Sequence, residues 1–495
     1  MMPSPGGWVR VYAAGGIKVA AAHLVVILSC ATGILLAWLA TAFDAAGPLV
    51  LIALPAAPLL AAAVISDPRV AIIGVAVTFP VGSVAIPSGV LPLGMTDVAV
   101  VVAIGTVGLY RLTQGRSPLA WSPQLGWILL LVFWTLIAFP SAVDKTLAVN
   151  QIGALALGVM LIAAVVAMCR TMRDVKIVLV GFIAVVAAIA AVALFSAGEL
   201  QSQLGGTRVT GRLRGAFDHP NQLGAISALF GLSAVGLFFA SRSTKGRLAA
   251  GVAVALCVGA LGLSLSRGAW IAAALGVFYL VGTLPRARRA LLLGGLPLIV
   301  GGILLSSQLP SQPHIQVVQE RLSVLTVPSP YDDRPAIWAE ALREIKADPL
   351  TGQGPGGFPV ASVRSGSEAS TVFAYHAHNI WLTWAAESGL PAMLLLIGFM
   401  ISIARAAAQA RRAAVRQGDR GSEAMIVGLA AGLLTVVGQG PLDYTWRNTV
   451  VFYAICTAVG LLLGARRAQS ARGSTNLPEE IAISGDRSRG GFDAA

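Results

Sequence analysis

The chain has 495 residues, of which 56% are hydrophobic and 12% charged, with a mean hydropathy of +0.79. Soluble globular domains carry about twice that share of charge, so the chain reads as an integral membrane protein and not as a soluble enzyme, a collagenous chain or a disordered one. Its net charge of +13 is divided among short clusters between apolar runs, the pattern that orients a membrane protein, and no nucleic acid is expected as a partner.

A hydrocarbon core of roughly 30 Å takes about 20 apolar residues per helix. In chain order, apolar runs bounded by Gly, Pro and charge predict spans near residues 19–42, 48–65, 70–87, 95–110, 125–142, 148–168, 177–197, 222–240, 248–265, 269–284, 290–305, 378–403, 424–440 and 449–464. The expected fold is all-α and polytopic, with 12–14 transmembrane helices; fourteen is favoured, and twelve remain if two early runs are re-entrant. The first run follows Arg10 and Lys18, is too long for a signal-peptide core and lacks a small-residue cleavage site, so it is expected to be retained. Cys30, Cys169, Cys257 and Cys456 are far apart, with no metal or redox spacing, and read as small core residues.

Basic residues fall in alternate loops: Arg111 and Arg116; Arg170, Arg173 and Lys176; Arg242, Lys245 and Arg247; Arg286, Arg288 and Arg289; and Arg405, Arg411, Arg412, Arg416 and Arg420. By the positive-inside rule that side, with both termini, is cytoplasmic. Two segments of the opposite side break the pattern. Residues 198–221 hold Arg208, Arg212 and Arg214, and residues 306–377 form the longest polar stretch before the tail. Anion binding on the outer face is the reading for these extra charges. Within the long loop, Ile337, Ala341 and Ile345 with Trp338 and Leu342 recur at helical spacing and predict an amphipathic helix. Gly352, Gly354, Gly356 and Gly357 then predict a turn with exposed backbone. The organisation is therefore N-terminal membrane helices over 1–305, a periplasmic loop over 306–377, C-terminal membrane helices over 378–465, and a disordered cytoplasmic tail over 466–495.

Two blocks carry a resemblance, DDRPAIWAEALREIKADPLTGQGPGGFP at 332–359 and HAHNIWLTWAAESGLPA at 376–392. Together they resemble the conserved loop of the O-antigen ligase and O-antigen polymerase superfamily. Weaker matches precede them, GAFDHPNQLG at 215–224 and SLSRGAW at 264–270. The resemblance implies a GT-C-like, inverting glycosyltransferase of the inner (plasma) membrane that needs no metal and no cofactor. Its partners would be an undecaprenyl-diphosphate-linked glycan as donor, a glycolipid or glycan as acceptor, and the surrounding membrane lipids. A polymerase of the same superfamily, a protein O-oligosaccharyltransferase and a lipid-linked oligosaccharide transporter stay open. The scarcity of ionisable residues inside the spans argues against the transporter.

A sugar hydroxyl needs a general base at neutral pH, and histidine suits that task. Of the five histidines, His23 lies inside the first span, His314 has no flanking partners and His219 packs before the span at 222. His378 opens a helix after the long loop; position alone allows an interfacial residue without a role, and the motif favours the base. His376 is a candidate substrate contact, and Asn379 either caps the helix or holds the glycan. A departing diphosphate calls for arginines, whose planar fork binds two oxygens at once. Arg267 sits on the outer side, where no orientation signal places it, and otherwise snorkels. Arg334 follows Asp332 and Asp333 and otherwise forms a surface salt bridge. Arg212 and Arg214 are further candidates for phosphate or sugar. Asn221 is expected as an N-cap. Glu387 falls about 180° around the helix from His378 and is given a structural part, bonding backbone groups freed at Gly389 and Pro391. Asp332, Asp333 or Asp443 could bind Mg²⁺, but no metal site is expected.

Overall fold

In the computed structural model the described residues are 67–82, 85–86, 93–195, 212–290, 292–293, 333–365, 374 and 376–475. They form fourteen helices: α1 (Arg69–Val77), α2 (Met95–Thr113), α3 (Pro123–Ala138), α4 (Lys145–Met168), α5 (Met172–Phe195), α6 (Pro220–Ala240), α7 (Thr244–Leu263), α8 (Arg267–Thr283), α9 (Pro285–Ala290), α10 (Arg334–Ala347), α11 (Phe358–Ser365), α12 (Ile380–Arg416), α13 (Arg420–Gln439) and α14 (Thr449–Thr475). A minimal antiparallel ladder pairs Ala85 with Gly94 and Ile86 with Leu93. Among the described residues nine helices, α2 to α7 and α12 to α14, are long and apolar enough to cross a membrane. The shorter α8 is also apolar. Runs predicted at 19–42 and 48–65 lie outside the described residues, as do all of 290–305 except residues 290, 292 and 293, and positions 306–332 of the long loop.

The run predicted near 70–87 is not a single span. Its helix, α1, has nine residues, about 14 Å at 1.5 Å per residue, less than half the hydrocarbon core. Pro80 lacks the donor that the next helical turn needs, and the chain tightens into a 3-10 turn at Phe79–Val81 before the short ladder. At the other end of the chain, α14 continues to Thr475, into the segment expected to be a disordered tail.

The buried centre is α6, α13 and α14, and large apolar side chains on the peripheral helices, such as Phe133, Val192 and Phe278, point outward. That inversion suits a lipid surround. Gly236 of α6 meets Gly428 of α13 so closely that a Cβ on either would sit under 3 Å from the other's backbone. Small residues let two membrane helices approach to this distance and pack by dispersion.

One break positions the site. α12 runs for 37 residues but changes direction at Gly389 (φ 81°, ψ 168°), just before Pro391. A Cβ there would lie 1.8 Å from the Leu350 carbonyl oxygen, so only glycine fits. The turn that follows α10 docks into this break: Leu390 N–H donates to Pro349 O (2.8 Å) and Gln353 N–H to Ala386 O (2.9 Å). Its glycines are buried, contrary to the expected exposed turn, because they allow backbone to press on backbone. Pro349 also takes the group freed at the break, so Glu387 is left for another partner.

Candidate active site

His378 is held by its own backbone. It adopts a left-handed conformation (φ 48°), uncommon for a residue with a side chain, and its N–H donates to His376 Nδ1 at 3.0 Å. Asn379 follows as the N-cap of α12, its Oδ1 accepting from the N–H groups of Trp381 (2.9 Å) and Leu382 (3.2 Å). The cap is thus the part the structure gives Asn379.

The ring of His378 turns its Nδ1 to Asp443 Oδ1 at 3.0 Å. Asp443 lies in the turn after α13, and the Tyr444 N–H also donates to Oδ1 (2.9 Å). Its Oδ2 accepts from Asn221 Nδ2 at 2.5 Å. Asn221 Oδ1 in turn accepts from Arg212 at 2.6 Å, while Arg212 Nε donates to the Ser264 carbonyl at 3.0 Å. Four separate segments therefore meet here: 212–221, 264–268, 376–379 and 443–444. Asn221 is not the N-cap expected of it. His219 caps α6, its Nδ1 accepting from the Asn221 N–H at 3.2 Å, and Asn221 is buried as the bridge between Arg212 and Asp443.

Electrostatics follow from these bonds. Burial pushes the Asp443 carboxyl up, but the bond from His378, the neighbouring histidines and the Asn221 amide outweigh it and hold Asp443 below the usual carboxylate range. Burial, with His378 nearby, drives His376 down to about 3. His376 is thus neutral at pH 7. An ionised Asp443 can only accept, so the hydrogen between them sits on His378 Nδ1. Nε2 makes no hydrogen bond among the described residues, and the side chain is 35% exposed. This is an imidazole with its tautomer fixed and its second nitrogen open.

Arg267 opens α8 directly after its N-cap Ser266, and the adjoining Gly268 packs on Leu442, one residue before Asp443. Arg334 opens α10. One turn on, the Trp338 indole donates to the Ala377 carbonyl (2.8 Å), beside His378. Both arginines thus flank the His378 and Asp443 turns. Arg214 is exposed and Arg212 is half-buried within the network. Asp332, His23 and His314 lie outside the described residues.

A second charged pair escaped the sequence reading. Arg447 Nη1 donates to Glu387 Oε1 at 2.6 Å, and Nη2 reaches the Gly356 carbonyl at 3.3 Å. Burial lowers the Arg447 pKa, but the Glu387 charge more than offsets it and the net direction is upward. The pair ties the turn that carries Asp443 to α12 and to the glycine-rich turn. Its signal is present in the sequence, since Arg447, like Arg267, is an arginine in a short loop between apolar runs, on the side that the charge pattern leaves poor in basic residues.

The nearest ligand atoms of His376, His378 and Asp443 lie within 4.8 Å of one another, a spacing that could take a cation. Both Asp443 oxygens and both Nδ1 atoms are already bonded, so a cation here would take the histidine Nε2 atoms or displace these bonds.

Residues 252–397 match the family model described as O-antigen ligase, so the resemblance to that superfamily holds from α7 into α12. The match takes in the SLSRGAW block, α10, the glycine-rich turn and His378, and leaves Asn221 and Asp443 outside. No curated protein matches the chain.

Proposed function

We propose that the protein is an O-antigen ligase-like glycosyltransferase of the inner membrane, moving a glycan from an undecaprenyl-diphosphate donor to an acceptor hydroxyl at the outer face. The observation that carries this reading is the His378–Asp443 pair with Nε2 left open. The acceptor hydroxyl gives its proton to Nε2 and its oxygen attacks the anomeric carbon. The bond from that carbon to the diphosphate breaks, the electron pair leaving with the diphosphate, and the single displacement inverts the centre. Asp443 stabilises the imidazolium that forms, as the acid of a catalytic triad does.

Arg267 and Arg334 are assigned to the diphosphate, where negative charge develops, and the exposed Arg214 is assigned to phosphate or sugar. Arg212, whose guanidinium is engaged by Asn221 and Ser264, holds the network in place. His376 and Asn379 border the acceptor. The arginines take the charge-neutralising part that a divalent cation plays elsewhere, so no metal is required.

Purified full-length protein with lipid-linked donor and acceptor glycan should lose about 10²- to 10⁴-fold in rate on His378→Ala, the usual worth of a general base, and should work in excess EDTA. Wild-type turnover by the variant overturns the base, and loss in EDTA restored by Mg²⁺ overturns the metal-free mechanism. A polymerase would use the same groups on a growing lipid-linked chain. A strain lacking a ligase accumulates long lipid-linked polymer, whereas one lacking a polymerase is left with single repeats.

A further inference from the structure

The end of the bundle opposite His378, about 30 Å away along α6, carries a groove of about 660 Å³ between α5, α6, α7 and the start of α13. Its wall on α5 is formed by Arg173, Lys176, Val180, Ile183 and Ala187. These are spaced three and four apart and share one helical face. The stripe is cationic over its first turn and apolar beyond it. From Arg173 to Ala187 is about 21 Å, against about 15 Å for the hydrocarbon of one leaflet. Leu237 and Val252 form the facing apolar wall, and Arg242 stands at the same mouth as Arg173. Val180 and Val252 are 40% and 51% exposed, so the trough is open along its side.

Among the described residues, the nearby acids do not neutralise this mouth. Asp174 is taken by Arg69 at 2.5 Å and Asp419 by Arg472 at 3.0 Å, which leaves three cations at the head of an apolar trough. An orientation signal needs positive charge in a loop; it does not need that charge aligned with a groove. We propose that the groove binds an anionic glycerophospholipid of the facing leaflet, its phosphate among Arg173, Lys176 and Arg242 and an acyl chain along α5. Basic pockets between membrane helices recognise anionic headgroups in this way. The inference is independent of the transferase reading.

The test is native mass spectrometry of the full-length protein released from nanodiscs of mixed phosphatidylglycerol and phosphatidylcholine. The wild type should retain phosphatidylglycerol selectively. At roughly fivefold per basic residue, the triple variant Arg173→Gln, Lys176→Gln, Arg242→Gln should lose about 10²-fold in that preference while staying monodisperse. Ala187→Trp, which fills the trough and leaves the charges intact, should reduce retention of the same lipid. Equal retention of the two lipids by the wild type overturns the site. So does unchanged selectivity in the triple variant, or full retention by Ala187→Trp, which would mean surface charge alone or a trough already filled by the chain itself.

Discussion

Asp443, in the turn after α13, and Glu344, on the inner face of α10, are buried to similar degrees at the same end of the molecule, with 6% and 4% of their surface exposed. Asp443 accepts from a histidine, an amide and a backbone N–H, and stays ionised. Both Glu344 oxygens lack a hydrogen-bond partner among the described residues. Burial, with the charge of Glu387 added, pushes the Glu344 carboxyl up to about 8. Burial alone therefore does not decide the state of a carboxyl; the donors brought to it do. The Asp443 turn is built to keep a charge, and the α10 face is built to tolerate a neutral acid.

Removing the charge from the first region should have the largest effect. Asp443→Asn keeps the volume but presents an amide that no longer fixes the His378 tautomer or stabilises its imidazolium. We expect kcat to fall roughly 10²-fold or more, with the donor KM little changed and thermal stability lowered, since the charged acceptor of three donors is lost. A variant with near wild-type kcat would reduce Asp443 to a structural bond.

The two flanking arginines test whether both regions serve the same anion. Arg267 borders the Asp443 turn and Arg334 starts α10. Lysine at either position keeps the charge and loses the fork. A hydrogen bond to a charged group contributes about 1.5 to 3 kcal/mol, so each lysine variant should transfer about 10- to 150-fold more slowly. Rates near wild type for one of them would remove that arginine from the diphosphate and leave the other region to bind it.

The same comparison separates what could be read in the sequence from what could not. Apolar runs of span length carry their own signal, so α2 to α7 and α12 to α14 lie where hydropathy puts them. Hydropathy is blind to a missing donor, so the run broken at Pro80 reads as a span. The helix α10 is legible in the spacing of Ile337, Trp338 and Ala341 and the start of α12 in the motif around His378, but their approach to each other, through the Trp338 indole and the Ala377 carbonyl, is not. Nor are the partners of Asp443. His378 lies 65 residues from it and Asn221 lies 222, and no local periodicity reports a pairing over such separations. Sequence reasoning considered Asp443 only as a possible cation ligand because a lone acid in a short turn gives no sign of the donors that will surround it. Glycines 352 to 357 misled in the opposite direction, since their freedom serves close packing and not exposure.

The smallest effect on transfer is expected at Glu344, where the effect on stability has a sign. Its folded value of about 8 lies above its ordinary 4.5, so between those pH values the folded state holds a proton that the unfolded state has released. Stability is then unaffected below about pH 4.5, falls as pH rises toward 8, and levels off above it. Asp443 has the opposite slope: its depressed value stabilises the fold above the ordinary carboxylate range, and that contribution is lost only in acid. Glu344→Gln is neutral at every pH and nearly isosteric. Thermal unfolding and hydrogen exchange of α10, followed from about pH 5 to about pH 9, should decline in the wild type and stay flat in the variant, with the two equal at the acid end. Transfer activity at neutral pH should change less than about twofold, since Gln keeps the volume and the neutral state that the buried acid already has there. An equal decline in both proteins would place the titrating group elsewhere on the α10 face, and the contrast between the two carboxyls would then rest on Asp443 alone.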